Sequence, residues 1–441
     1  MAQHLRFKVA ECPLLLVLLF GLLLGSHAET SEMTCEADGT CSGAVPPNQK
    51  FDITVINESN FRADIHWDDG QFGVMLSTAE ANGGTAGLST YAGHRFFITR
   101  HGVKEGLFDL EKNEQFRFTS TRPGEKFVIP KSAAPSTDKC QDRFSVCEQY
   151  ARGGSCWENP GWMIVHCCKS CDKEIDSSRL IDPNVRCNKE FLNITEPAWK
   201  PGDLNKLFTS WATDNKFTKY EPVVHSSPDG AHGGQSGPWV ITFDNFFSSD
   251  EADALIRGGE LVGFQRSTNQ GAVNELGEME RVVDTTRTSA NAWCTGQCET
   301  LPEVRAVSKR IEEVTGVPQR NYESFQILEY KHNQYYRSHH DNSARDPTPP
   351  GNRIMTFFLY LSDVEEGGET YFNSLKLAVK PKKGRALVWP SVTDEDPEFW
   401  DKRMYHEAKD VIKGKKYAAN HWIHLNDYVG PNIWGCTGSF S

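Results

Sequence analysis

The chain has 441 residues, long for a single hydrophobic core, so two to four domains are expected. Apolar residues make up 38% and charged residues 24%, the balance of a globular protein. A formal net charge of −12, with no long Lys/Arg tract, excludes a nucleic-acid binder that works through phosphate contacts.

Arg6 and Lys8 precede an apolar run from Pro13 to Leu24, and Ser26-His27-Ala28 places small residues at a cleavage position. This is the pattern of a secretory signal over residues 1–28. The run is short for a membrane span, which needs about 20 apolar residues. Cleavage is therefore expected, with a signal anchor as the alternative. Of the thirteen cysteines, Cys12 lies in this segment, leaving an even twelve. Clustered cysteines behind a signal imply disulfides and the secretory pathway, with the endoplasmic reticulum lumen as the expected residence. Asn57-Glu58-Ser59 and Asn193-Ile194-Thr195 are N-glycosylation sequons and fit the same route. In the polar stretch 29–44, Cys35 and Cys41 are spaced to close a small loop.

Residues 45–130 read as all-β. Asp52–Ile56 alternates and is β-branched, Arg62–Trp67 and His94–Thr99 follow, and Asp68-Asp69-Gly70 marks a turn. Strands at this spacing predict a small sandwich. Residues 139–175 form a cysteine module with Cys140, Cys147, Cys156, Cys167, Cys168 and Cys171. Residues 176–235 are rich in Pro, Asn, Lys and Gly and read as a linker, with His225 and His232 as solvated loop histidines. From residue 236 the pattern becomes helices followed by strands. Ser248-x-x-Glu251 is a capping box for a helix expected to stop at Gly258-Gly259. Thr300-x-x-Glu303 opens a second, with Val304, Val307, Ile311 and Val314 on one face. Cys294 and Cys298 are expected to pair locally. Strands then run at Phe325–Tyr330, Ile354–Leu361, Glu369–Phe372, Arg385–Trp389 and Tyr417–His424. This order predicts an α+β domain built on a double-sheet jelly roll over 236–428, with a short tail at 429–441.

The chemistry centres on His339-x-Asp341 and a later His406. If a strand runs through Gln334–Asp341, the two residues share a face and His340 points away. Two imidazoles and a carboxylate are the ligand set of a facial Fe(II) triad with open positions for a bidentate 2-oxo acid and O₂. A 2-oxo dicarboxylate also needs its far carboxylate held, and Lys416 is the candidate point charge.

Tyr336-x-x-His339-x-Asp341, Leu359–Val364, Gly367-Gly-Glu-Thr370, Ala386–Trp389, His406 and Lys416-Tyr-x-x-x-His-Trp422 together resemble the prolyl 4-hydroxylase catalytic domain of the collagen, plant and algal type. The resemblance implies that His339, Asp341 and His406 hold Fe(II). It implies that Lys416 anchors 2-oxoglutarate with Tyr330 and Thr370 nearby, and that Arg287, Ser289, Tyr336, Arg353, Trp422 and His424 line a peptide groove. It implies hydroxylation of peptidyl proline at C4, with ascorbate as an accessory reductant and a proline-rich or collagen-like peptide as substrate. Rival readings are another peptidyl 2-oxoglutarate hydroxylase, such as a lysyl hydroxylase, and a non-catalytic binder of proline or hydroxyproline peptides. Two weaker resemblances accompany it. Asn57–Ser59, Ile65–Gly70 and Ser89–His94 are similar to the β domain of the von Hippel–Lindau protein, which implies a hydroxyproline pocket of Trp67, Thr90, Tyr91 and His94. Residues 140–171 resemble the ShK-toxin-like module, but Glu174 stands where that family ends in a cysteine, so Cys168 and Cys187 are both open as the sixth half.

Overall fold

The computed structural model describes residues 34–35, 41–42 and 49–437, except 103–105, 110–113, 132–133, 136–139, 274–278 and 343–345. The signal segment lies outside the described residues, as do the side chains of Cys35 and Cys41. Among the described residues no helix is long and apolar enough to cross a membrane. They fall into two compact units, one spanning Met75–Val103 and Leu107–Ala134 together with the strands before Trp67, the other holding Asp68–Val74 and everything from Pro135 on.

The first unit is built mainly on two sheets, beside a small pairing of Leu107–Asp109 with Glu114–Gln115. Strands β1 (Phe51–Asn57), β2 (Ala63–Trp67), β3 (Val74–Ala79), β4 (Gly84–Thr90), β5 (Arg95–Arg100), β6 (Arg117–Thr119) and β7 (Lys126–Ile129) pair in the orders β6-β5-β2-β3 and β7-β1-β4. In β1 the residues Phe51, Ile53 and Val55 are buried and their neighbours are not, the period-2 pattern of a strand with one face on a core. Ile65, Ala86, Phe96 and Ile98 meet them there. Asn57 is a correction to the sequon expectation. It is fully buried, and its carboxamide donates to Phe61 O (2.5 Å) and Ala79 O (3.1 Å), so it cannot carry a glycan in the folded protein. Asn193 is exposed, in a left-handed turn (φ 53°).

In the second unit the cysteine module is pinned by Cys140–Cys168, Cys147–Cys167 and Cys156–Cys171. Cys168 thus supplies the sixth half. Cys187 pairs instead with Cys436, 249 residues away. Residues 429–437 are therefore not a loose tail. A short helix at Val429–Ile433 leads into this disulfide, and Trp434 packs on the module's apolar cluster.

The linker expectation for 176–235 is also corrected. Helix α1 (Asp203–Thr213) buries Leu204, Phe208 and Trp211, and the Trp211 indole donates to Val314 O (3.0 Å). Strand β8 (Pro222–Ser227) pairs with β9 (Val240–Phe243). His225 lies in β8 beside Thr242 Oγ1 (3.0 Å), and burial lowers its pKa; it is no solvated loop residue. Three apolar residues spaced for one helix face, two of them aromatic, outweighed the Pro/Gly content that suggested a linker. Helix α2 (Ser249–Val262) starts at the expected capping box but runs through Gly258-Gly259 to a cap at Gly263 (φ 94°). The two glycines serve close approach rather than termination. A Cβ on Gly258 would lie 2.4 Å from Cys298 Sγ, in the Cys294–Cys298 disulfide that closes as expected. Helix α3 (Pro302–Thr315) has Pro302 in its first turn and no side-chain cap. The Thr300 hydroxyl bonds to Gln297 O of a preceding short helix, so Thr300-x-x-Glu303 is not a capping box. The apolar face of α3 (Val304, Val307, Ile311, Val314) is buried as its spacing predicts.

These helices cover one face of a large antiparallel sheet. Its central strands are β8, β9, β10 (Ala290–Trp293), β11 (Gln326–Tyr330), β13 (Arg353–Tyr360), β16 (Ala386–Pro390) and β18 (Lys416–His424), in the order β8-β9-β16-β13-β18-β11-β10. A second sheet has the order β12-β17-β14-β15, from β12 (Tyr336–His339), β14 (Thr370–Phe372), β15 (Leu377–Val379) and β17 (His406–Ala408). This is the expected α+β jelly-roll architecture. Residues Tyr330, Phe358, Tyr360, Phe372, Leu387 and Trp389, drawn from both sheets, form one apolar cluster with Met404 and Ala418. The functional site opens from that cluster.

Candidate active site

Strands β12 and β17 pair antiparallel with His339 opposite His406. The imidazole centroids are 4.4 Å apart. Strand β12 ends at His339, so Asp341 arrives from the turn beyond it rather than by strand alternation. Even so, His339, Asp341 and His406 present ligand atoms that all lie within 4.8 Å of one another, and His406 Nε2 is 3.8 Å from Asp341 Oδ2. Each imidazole is oriented the same way. His339 Nδ1 bonds to Arg337 O and His406 Nδ1 to Met404 O, both at 2.9 Å. A carbonyl can only accept, so Nδ1 carries the proton and Nε2 offers its lone pair, the arrangement that metal-ligating histidines use. The third ligand is steered by Thr356 of β13, whose hydroxyl donates to Asp341 Oδ2 at 2.6 Å. Burial alone would raise the Asp341 carboxyl, but the two imidazoles and Thr356 outweigh it and hold it at about 2. Burial also keeps His339 well below its ordinary value, and therefore neutral. Two neutral imidazoles and an ionised carboxylate fit Fe(II). His340 points elsewhere, with Nε2 on Asp401 O (3.0 Å) and Nδ1 accepting from the Asn342 N–H (3.0 Å).

Lys416 begins β18 and is fully buried. Its ammonium donates to Gly368 O (2.8 Å) and lies 5.2, 5.3 and 5.5 Å from the rings of Tyr330, Phe358 and Tyr360. Burial lowers its pKa to about 7, against a small opposing pull from Glu369. A buried ammonium with one carbonyl acceptor and three aromatic walls is short of a counter-charge, which is what a carboxylate anchor requires. Gly367 and Gly368 make the approach possible. A Cβ on Gly367 (φ 78°) would lie 2.2 Å from Asp410 O, and one on Gly368 (φ 73°) would lie 3.5 Å from Lys416 Cδ. Thr370 is buried in β14, and its Oγ accepts from Tyr360 Oη at 2.7 Å. Tyr360 was not singled out in the sequence. It is spaced two residues from Phe358 along β13, which is the only signal that would have found it.

The residues expected to line a peptide groove divide into two groups. Tyr336 stacks on His339 with centroids 3.6 Å apart, and the Arg287 guanidinium lies 4.6 Å over the Tyr336 ring. Arg287 is buried, bonded to Gln326 Oε1 (3.0 Å), and its Nε has no partner among the described residues. Ser289 is buried against Ser267 Oγ (3.0 Å) rather than open to a ligand. Arg353, Trp422 and His424 form a network whose hub, Glu323, the sequence did not reveal. Arg353 binds Glu323 through Nε (2.5 Å) and Nη2 (3.0 Å), reaches Asp341 O through Nη1 (3.2 Å) and stacks 3.9 Å over Trp422. His424 binds Glu323 Oε1 (2.8 Å) and Gly351 O (2.8 Å). Burial would raise the Glu323 carboxyl, but Arg353 and His424 outweigh it and hold it at about 2. Trp422 and His424 are 6% and 5% exposed, so they support the wall more than they present a surface. Trp293 of β10, 6.0 Å from Trp422, is half-buried and extends the aromatic wall.

In the first unit, the four residues expected to form a pocket do meet. His94 lies 5.3 Å from the Trp67 ring and 5.4 Å from the Tyr91 ring, and its Nδ1 pairs with Thr90 Oγ1 at 3.0 Å.

Comparison with known proteins agrees with this chemistry. Residues 325–424 match the 2OG-Fe(II) oxygenase superfamily. The chain is 32% identical over 237 residues to prolyl 4-hydroxylase subunit alpha-2 of Caenorhabditis elegans, covering 52% of this chain and 40% of that one. It is 33% identical over 237 residues to the probable prolyl 4-hydroxylase 9 of Arabidopsis thaliana, covering 47% of this chain and 80% of that one. The chain thus spans less than half of the nematode subunit and most of the plant protein. Among solved structures, the viral collagen prolyl hydroxylase of Paramecium bursaria Chlorella virus-1 is 28% identical, covering 43% of this chain and 97% of that one, with a TM-score of 0.34. On its identity to the plant protein over most of that protein's length, and with the oxygenase match spanning the ligand triad and the buried lysine, the chain belongs to the prolyl 4-hydroxylase family of 2-oxoglutarate- and Fe(II)-dependent oxygenases.

Proposed function

We propose that the protein converts peptidyl proline to 4-hydroxyproline, consuming O₂ and 2-oxoglutarate and releasing succinate and CO₂. The carrying observation is that the His339–Asp341–His406 triad and the anion-seeking Lys416 border one apolar cluster, with Trp389 against His406 and Phe358 linking Trp389 to the Lys416 ammonium. When bound, Fe(II) and the 2-oxo acid supply, with O₂, an oxidant able to take hydrogen from an aliphatic carbon. The chain's own residues do the rest. His339, Asp341 and His406 hold the metal, and their outer partners Arg337 O, Met404 O and Thr356 fix their aim. Lys416 and Thr370 hold the far carboxylate of the co-substrate. The rings of Tyr330, Phe358, Tyr360 and Trp389 keep water out of the interior. Tyr336 and Trp293 face the peptide, backed by Trp422 and Arg353, and aromatic walls suit a polyproline II chain. Ascorbate serves as an external reductant. The test is incubation of a panel of proline-rich, collagen-like and lysine-containing peptides with Fe(II), 2-oxoglutarate and ascorbate. A mass gain of one oxygen on proline with matching succinate is expected. Oxygen on lysine, or succinate with no modified peptide, would overturn the assignment.

The contacts among Trp67, Thr90, Tyr91 and His94 support a second, linked reading: the first unit binds the hydroxylated product. Two aromatic rings suit the pyrrolidine, and His94 keeps Nε2 for its hydroxyl. Full-length protein should bind a hydroxyproline peptide more tightly than its proline counterpart, and Trp67→Ala should remove the difference. Equal affinity of the two peptides for the unmodified protein would end this reading.

Passage through the secretory pathway is supported by the five disulfides seen among the described residues and by the exposed Asn193. Glycosidase treatment of protein from a secretory host should lower its mass, Asn193→Gln should abolish that shift, and Asn57→Gln should leave it unchanged. A shift that persists without Asn193 would count against this assignment.

A further inference from the structure

Trp389 is 1% exposed, and its Nε1 has no hydrogen-bond partner among the described residues. A buried indole N–H normally finds an acceptor, because leaving that bond unmade forfeits the water it gave up on burial. Its position shows where an acceptor would have to come from. In the large sheet Trp389 of β16 is directly opposite Thr356 of β13, and Thr356 is in turn opposite Trp422 of β18. Residues opposite one another on adjacent strands share a face. Trp389 is therefore in the same row as the hydroxyl that steers Asp341. Its ring packs edge-on to the metal ligand His406 with centroids 4.8 Å apart, and against Phe372 (5.4 Å). On its other side it meets Phe358 (6.1 Å), one of the three rings around the Lys416 ammonium. Trp389 thus bridges the metal ligands and the lysine chamber, at the metal end.

We propose that Trp389 is a positioning residue for the co-substrate, its indole N–H donating to the carboxylate that lies beside the metal, opposite the one Lys416 takes. This rests on the 2-oxoglutarate reading above. It assigns the two carboxylates of the dicarboxylate to two separate donors, one charged and one neutral. The neutral donor suits its place, because a second cation beside the metal would oppose metal binding. The aromatic body of Trp389 meanwhile buttresses His406, so one side chain serves both metal ligand and co-substrate.

The experiment uses the full chain loaded with Zn(II), which does not turn over, and measures binding of 2-oxoglutarate and of levulinate by calorimetry. Levulinate is the same molecule with a methyl group in place of the carboxylate next to the keto carbon. Trp389→Phe removes the N–H, and benzothienylalanine at 389 removes it while keeping the bicyclic ring, should the phenylalanine variant fold poorly. Both should weaken 2-oxoglutarate about 10- to 100-fold, the range for hydrogen bonds to charged groups. In the benzothienylalanine protein, which keeps the ring against His406, levulinate affinity and Zn(II) affinity should be unchanged. Undiminished 2-oxoglutarate binding in the benzothienylalanine protein would overturn the proposal. So would equal weakening of both ligands, which would make the ring a packing residue only. Failure of the unsubstituted Zn(II) protein to bind 2-oxoglutarate at all would instead remove the co-substrate reading, and Trp389's role with it.

Discussion

Replacing Asp341 by Ala should abolish Fe(II) retention and coupled succinate release, and His339→Ala should do the same. The triad supplies three ligand atoms within 4.8 Å, and losing one leaves a two-ligand site. Removing an outer partner of a metal ligand costs about 10- to 100-fold in metal affinity or activity, which sets a floor for removing a ligand itself. Thr356→Val probes that floor. It deletes the hydroxyl bond to Asp341 Oδ2 while keeping the side chain's shape, and should weaken metal binding within the 10- to 100-fold range. Anaerobic titration with Fe(II) or Co(II), followed by a succinate assay, reads all three variants. Peptide hydroxylation that survives in Asp341→Ala would sink the triad assignment, because no other group of three or more His, Cys, Asp or Glu side chains among the described residues could take over the metal.

The second large effect is at Lys416. Its ammonium has one carbonyl acceptor and three aromatic neighbours, so Lys416→Ala should raise the 2-oxoglutarate requirement about 100-fold or more while leaving metal binding intact. A pH signature accompanies it. Burial lowers the free lysine to about 7, and a bound carboxylate would raise it again by opposing that burial. The protonated form binds the anion, so affinity is fully present below pH 7. It then falls by up to about tenfold per pH unit above 7, until the pKa of the complex is reached. Binding near pH 8 should therefore take up close to one proton per molecule, which calorimetry in buffers of different ionisation enthalpy measures directly. A flat affinity between pH 6 and 9, with no proton uptake, would show that Lys416 is already fully charged in the free protein or plays no part in binding.

Much of the site was legible before any fold was known. The His-x-Asp spacing, the later His406 and Lys416, and the Gly367-Gly368 turn are local patterns. Each reports a chemical need: neutral donors for iron, a point charge for a carboxylate, a backbone that can approach closely. Strand periodicity marked β11, β13, β16 and β18, because their Val, Ile, Phe and Tyr content suits a buried sheet. Local signals misled where a residue type serves more than one purpose. Gly258-Gly259 looked like a helix stop but is where the Cys294–Cys298 disulfide presses on α2. Thr300 looked like a cap but bonds backward to Gln297. Asn57 looked like a glycan acceptor but is consumed by Phe61 and Ala79.

By itself, the sequence determined the candidate ligand types, the candidate lysine anchor and the jelly-roll class, since these follow from side-chain chemistry and from the order of helix signals and apolar, aromatic-rich strand segments. Only the tertiary structure decided which groups are spent on one another. Glu323 lies 101 residues from His424 and 30 from Arg353, yet it occupies both, so residues that looked free to meet a peptide instead brace the wall behind Asp341. Cys187 finds Cys436 across 249 residues, and Trp211 of α1 spends its indole N–H on Val314 O, 103 positions on. The register of β16 on β13 sets Trp389 opposite Thr356, where its indole N–H has no partner among the described residues. Hydrogen bonds and charge pairs saturate within a few ångströms, whatever the distance along the chain. Partner choice, and therefore the groups left over for ligands, is a property of the fold.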